Sequence, residues 1–203
     1  MSDYDIAVAD GPATHAQHLA VVTRECFPWS PRWTAWSAYG QRYWRYALSA
    51  QSATTIVARM DDGDIGGFAL LILDEAMFGR EILPACRTLR DSLGIAAYVP
   101  LARWSEHRLR RAGIHWDKTQ VQQADRPRPR AWIELIGVRP ACRGHRLGQR
   151  MLEKADNVSR RHGAKSIEAL TAIWNSSALA MFERAGFRPV DFTRSTVLSS
   201  KAL

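Results

Sequence analysis

The chain has 203 residues, of which 46% are hydrophobic, with a formal net charge of +8. That is enough apolar material for one domain with a real core. The positive balance suits an anionic ligand, an acidic substrate or nucleic acid, yet no zinc-finger spacing or aromatic-plus-basic ribonucleoprotein motif supports specific nucleic-acid binding. No apolar run approaches the roughly 20 residues of a membrane span, and the acidic start Met1–Asp5 has no signal-peptide core. Cys26, Cys86 and Cys142 are odd in number and widely spaced. They suggest reduced thiols in a cytoplasmic protein with no metal site and no disulfide framework.

Along the chain, Tyr4 to Ala9 alternates as a first strand, ended by Asp10-Gly11-Pro12. Leu19, Val22 and Cys26 recur at helical spacing over Ala13–Phe27, and an aromatic-rich helical region follows over Pro31–Ala50. Thr54–Met60 and Ile65–Leu73 form a hairpin around the turn Asp61-Asp62-Gly63-Asp64. The stretch 74–130 is too long for a simple connection. It reads as a helical insertion, with helices near Ala76–Ser92 and Leu101–Ala112 and a Pro/Arg-rich linker. Strand Ala131–Val138, helix Leu147–His162, strand Ser166–Ala172, helix Ser176–Ala185 and strands near Phe187–Val190 and Ser195–Leu198 complete an α/β pattern.

The densest signal is the run from Leu135 to Leu152, where an apolar strand enters a short loop of Pro, Arg and Gly and an amphipathic helix follows at once. Backbone N–H groups and the positive end of the helix dipole then converge on one point, a ready site for phosphate oxygens. Arg143 and Arg146 add charge there. Farther on, Asn175 suits a helix N-cap, Gly186 a left-handed C-cap, and Leu179, Phe182 and Phe187 make an apolar stripe. Each piece taken alone also fits an ordinary strand–loop–helix corner or a capped helix.

Together these motifs resemble the GNAT superfamily of acyl-CoA-dependent N-acetyltransferases. Its loop pattern, Gln/Arg-x-x-Gly-x-Gly/Ala, is matched by Arg143 and Gly148, with Arg146 in place of the first glycine. Its second pattern, Asn-x-x-Ala-x-x-x-Tyr-x-x-x-Gly-Phe, is matched from Asn175 to Phe187, with Phe182 in place of the tyrosine. A backbone N–H survives at Arg146, and a first helical turn needs no positive φ there. The resemblance implies a single domain over 1–203, built on a central mixed, mostly antiparallel sheet flanked by helices. The insertion 74–130 would precede the central strand.

The resemblance also implies acetyl-CoA as co-substrate. It would be held by Val138, Arg139, Arg143, Gly144, His145, Arg146, Leu147 and Gly148, with Asn175 and Phe182 on the facing helix. A main-chain N–H near Val138 would stabilise the oxyanion, while the strand pairs with the pantetheine arm. The acceptor would be a small-molecule or peptide amine, and homodimers are common among such proteins. Strand alternation puts Glu134 on one face with Trp132, Ile136 and Val138, towards the same cleft. A carboxylate among apolar neighbours suits a general base, although a salt-bridged strand carboxylate is the plain alternative. Trp29, Trp33 and Trp36 would line an acceptor pocket or simply pack the core, and Glu25 would anchor an ammonium. Phe182 cannot protonate a departing thiolate, which leaves a catalytically silent acyl-CoA-binding regulator open beside the enzyme. The net charge leaves open a basic RNA-associated protein.

Overall fold

The computed structural model describes residues 4–9, 12–30, 33, 37–82, 128–192 and 195–203. Trp36, Cys86 and most of the expected insertion, including the helix at Leu101–Ala112, lie outside them. Among the described residues seven strands form one sheet: β1 Asp5–Val8, β2 Ala53–Arg59, β3 Ile65–Ile72, β4 Arg130–Val138, β5 Ser166–Ala172, β6 Arg188–Phe192 and β7 Thr196–Ala202. Their order is β1-β2-β3-β4-β5-β7-β6. Every neighbouring pair is antiparallel except β4 and β5. The sheet is thus mixed and mostly antiparallel, as the sequence led us to expect.

Helices cover both faces of the sheet. On one face α1 (Pro12–Cys26) and α2 (Ser37–Ser49) cover β2, β3 and the inner half of β4, and α3 (Glu75–Ile82) docks against α2. Trp44 is the pivot of this layer. Its ring is fully buried and packs edge-on against Phe68 with centroids 5.1 Å apart. Its indole N–H donates to Thr23 Oγ1 at 2.8 Å, and that hydroxyl donates to Leu19 O at 2.6 Å. A buried donor left without an acceptor would be costly, and this chain of bonds avoids that.

On the other face α4 (Leu147–Arg161) lies across the sheet with Leu147, Met151, Leu152, Ala155 and Val158 turned into the core. Helix α5 (Ser176–Arg184) packs beside it. A Cβ on Gly148 would stand 2.3 Å from Met181 Sδ, so the glycine lets the two helices close on one another. Lys201 on β7 donates to the buried carboxylate of Asp156 on α4, tying the last strand to this layer.

Strand β4 is irregular at the position that matters most. Its register against β3 runs Leu70↔Leu135 and then Leu71↔Ile133, which leaves Glu134 as the extra residue of a β-bulge. The side-chain phase flips there. Ala131, Ile133, Ile136 and Val138 face the α4 core, whereas Trp132 and Leu135 face the α1/α2 core. Simple alternation therefore fails. Glu134 keeps company with Trp132, whose indole Nε1 donates to its carboxylate at 3.3 Å, and does not share the face of Ile136 and Val138.

The start of α4 corrects a second expectation. Arg146, its N-cap residue, has φ 57 and ψ 20, in the left-handed region. The position does call for positive φ, the conformation that glycine adopts freely and that costs other residues about 1–2 kcal/mol. Arg146→Gly should therefore raise stability by up to about 1 kcal/mol, part of the relief being offset by glycine's greater unfolded-state entropy. Arg146→Val should lower it by about 1–2 kcal/mol, since β-branched side chains tolerate this backbone poorly. Urea unfolding of the three proteins checks both signs.

Candidate active site

β4 and β5 run side by side only at their beginnings. Their pairing covers Arg130↔Ser166 to Ile133↔Ala169 and stops there, although β4 continues to Val138 and β5 to Ala172. Beyond that point β4 stays with β3, and β5 stays with β7. The two strands separate at the bulge and a wedge opens between them. Among the described residues no β5 partner meets Glu134–Val138. Among the described residues, main-chain groups of this segment that point away from β3 have no strand partner and, Val138 O apart, suit pairing with another extended chain.

At the wide end of the wedge lies the loop between β4 and α4. Pro140–Cys142 makes one 3₁₀ turn, and Gly144 at φ 91 and Arg146 at φ 57 then reverse the chain into the helix. The Arg146 side chain does not cap the helix. The first-turn N–H groups of Leu147, Gly148 and Gln149, which lack intrahelical acceptors, are available to an anion. Arg143, Gly144, His145 and Arg146 are exposed around them. Arg143 Nε donates to Val138 O at 3.4 Å, so its guanidinium stays beside the end of β4. The loop is anchored from behind, where Arg150 Nη2 donates to Tyr4 O at 2.8 Å and the His145 ring lies 5.4 Å from that of Tyr4.

Arg139, expected to bind the cofactor, is engaged elsewhere. Its guanidinium donates to both Glu25 oxygens, at 2.8 and 3.1 Å, and to Asp64 Oδ2 at 2.5 Å. The Glu25 hydrogen bond, working against partial burial and helped by Asp64, pushes its basicity up still further. Although burial opposes it, the Ile65 N–H and Arg139 hold the Asp64 carboxyl below the usual carboxylate range. Arg139 thus braces the end of β4 against α1 and the β2–β3 turn. A cavity of about 430 Å³ lined by His18, Val21, Val22, Asp62, Gly63, Asp64 and Arg139 sits behind this brace, on the α1 side. Glu25, expected to anchor an ammonium, is occupied by Arg139.

The remaining candidates separate by environment. Glu134 is exposed at the apex of the wedge rather than enclosed by apolar side chains. Asn175 caps α5, its Oδ1 accepting from the Ala178 N–H at 3.2 Å. Phe182 is buried in the α4-side core with its ring 5.0 Å from that of Phe187. Trp33 is buried against Tyr39 and Tyr43 and belongs to the other core. Trp29 is exposed and meets Trp174, a residue that sequence reasoning passed over. No helical or strand periodicity marks Trp174, because it stands in the loop after β5.

Both described cysteines are buried. Cys142 packs on Met60, with sulfur atoms 3.6 Å apart. Cys26 lies against β4 at Gly137, where an added Cβ would come within 2.9 Å of its sulfur. Burial pushes the Cys26 thiol up to about 12, which makes it a poor nucleophile.

Residues 18–187 match the model of the Acetyltransferase (GNAT) family. Among curated proteins, none matches the chain in sequence. Solved structures resemble it in fold. PH1933 from Pyrococcus horikoshii OT3 aligns over 99% of both chains with 15% identity and a TM-score of 0.61. The aminoglycoside N-acetyltransferase AAC(6')-Iy, solved with CoA, aligns over 95% of this chain and 93% of its own, with 15% identity and a TM-score of 0.61. The paia N-acetyltransferase of Thermoplasma acidophilum, solved in complex with coenzyme A, covers 98% and 99% at 13% identity, with a TM-score of 0.58. With the family match spanning most of its length and its sheet parting between β4 and β5 beside the N-terminus of α4, the chain belongs to the acetyltransferase (GNAT) family.

Proposed function

We propose that this protein moves an acetyl group from acetyl-CoA to a primary amine by direct attack. The observation that carries the reading is the parting of β4 and β5 at Glu134, next to a helix terminus that its N-cap side chain, Arg146, leaves uncapped. Coenzyme A has two recognisable ends, and the chain offers something to each. The pyrophosphate suits the N–H groups of Leu147–Gln149 and the exposed Arg143. The amide-bearing pantetheine arm suits the free edge of β4, where it would pair as a strand does. Gly148 contributes by its size, since Met181 occupies the space a larger residue would need. Solved relatives that carry CoA support the assignment by analogy of fold.

The chemistry needs a neutral amine and a stabilised oxyanion. The amine nitrogen attacks the thioester carbonyl, a C–N bond forms, the C–S bond breaks and the electron pair leaves on sulfur, while the surplus proton on nitrogen passes through water to that thiolate, giving amide and coenzyme A thiol. Before attack the ammonium proton passes to Glu134, directly or through water, because its carboxylate stands exposed where the strands part. A main-chain N–H of β4 near Val138 faces the developing oxyanion. Phe182 offers no proton to the thiolate. It is buried against Phe187, and this favours as second reading an acyl-CoA-binding protein without turnover. Thiol release on mixing the protein with acetyl-CoA and a panel of amines separates the two: turnover supports the enzyme, and acetyl-CoA binding without turnover supports the regulator.

Arg143→Glu should weaken acetyl-CoA binding at least about tenfold, because a carboxylate then faces the pyrophosphate. Calorimetry checks this, and unchanged affinity would place the phosphates elsewhere. Glu134→Gln should keep acetyl-CoA affinity and lower turnover by roughly 10²–10⁴-fold, the range for loss of a general base. The deficit should shrink at alkaline pH, where more of the amine is already neutral. A variant with full turnover and only lower stability would make Glu134 structural.

A further inference from the structure

Resting on the reading just given, the face of the wedge opposite α4 is where an amine must approach, since α4 and the phosphate loop hold the other side. The sheet register identifies what lines this face. Trp132 on β4 is the partner of Glu168 on β5, and two residues on from Glu168 stands Leu170. Leu170 is 49% exposed, and Ile167 and Ala169 beside it belong to the α4-side core, so the Leu170 side chain stands on the open face. From the β4 side, α1 ends against Gly137 and leads into the segment holding Phe27 and Trp29. From the β5 side comes Trp174. The rings of Trp29 and Trp174 meet edge to face at 5.5 Å and 87°, while Trp29 also meets Phe27 at 5.6 Å and 73°. Loops from the two sides of the wedge therefore touch through indoles, and Trp29 remains 42% exposed.

Charge decides which amine fits. β4 and β5 carry two carboxylates, Glu134 and Glu168. Glu168 is held by Arg130 at 3.4 Å, and Glu25 and Asp64 are both held by Arg139. Glu134, whose carboxylate accepts from the Trp132 indole N–H, is the one facing the apex. Among the described residues this leaves a single negative group on the face that carries the indoles and an exposed leucine, which suits one ammonium on an aromatic or apolar body, with cation–π attraction to the rings. A polycation would place its further charges on apolar surface, in a protein that itself carries +8.

We propose that Trp174, together with Trp29 and Leu170, forms the acceptor subsite and selects an aromatic or apolar amine of single positive charge. The test uses the full-length protein saturated with CoA, with phenethylamine and spermidine as probes in calorimetry, and acetyl-CoA thiol release with the same two amines. Phenethylamine should bind at least about tenfold more tightly than spermidine and be the better acceptor. Trp174→Ala should weaken phenethylamine binding about tenfold and raise its KM more than it lowers kcat, with CoA affinity unmoved. Trp174→Phe should restore much of the loss. Equal or tighter binding of spermidine, an unchanged phenethylamine affinity in Trp174→Ala, or binding of neither amine overturns the inference. Acetyl transfer that prefers spermidine overturns it while leaving the acetyltransferase reading standing. Failure of CoA itself to bind removes that reading and this inference with it.

Discussion

The bulge at Glu134 and the separation of β4 from β5 form the constraint on which the rest of this structure depends. A parallel pair normally runs on until a strand ends, because each unpaired main-chain group near the core carries a desolvation cost. Here pairing ends at Ile133↔Ala169 while both strands continue. The extra residue turns the following segment of β4 without breaking its bonds to β3. It also reverses which side chains face which core, so Ile136 and Val138 rest on the α4 side while Gly137 receives the end of α1. One inserted residue thus opens the wedge and sets a carboxylate at its apex.

Holding such a wedge open requires that its walls be fixed from behind. Arg139 does this on the β4 side, clamping Glu25 of α1 and Asp64 of the β2–β3 turn just before the β4–α4 loop begins. Arg150 on α4 reaches Tyr4 before β1, and Gly148 lets α5 close on α4 against Met181. The loop itself stays exposed, and its strained residue, Arg146, sits where the helix dipole is strongest. Rigidity is spent on the frame, which leaves the exposed groups free to meet a ligand.

Most of this was legible in the sequence where local rules decide. The hairpin, the two helices of the C-terminal half, the Asn175 cap and the Gly186 turn at φ 90 follow from periodicity and capping chemistry, and they stand in the structure. The motif around Arg143–Gly148 led to the family. Features set by tertiary context were not legible. A bulge leaves no mark on the pattern Trp132-Ile133-Glu134-Leu135, so strict alternation put Ile136 and Val138 on the face that Glu134 shares with Trp132, whereas the bulge turns them to the α4 side. Arg139 reads as a cofactor ligand by its place beside the loop, and only the folded chain brings Glu25 and Asp64 to it. Trp33 and Trp29 look alike in sequence, yet one is core and the other exposed.

The most direct test is amide hydrogen exchange with and without saturating acetyl-CoA. If the donor's arm pairs with the free edge of β4, peptides covering Glu134–Val138 and the first turn of α4 should slow together. Their protection should rise at least about tenfold, while β2 and β7 stay as they were. Protection of the α4 terminus alone, with β4 exchanging at its original rate, would mean that the wedge does not receive the donor and would contradict the account.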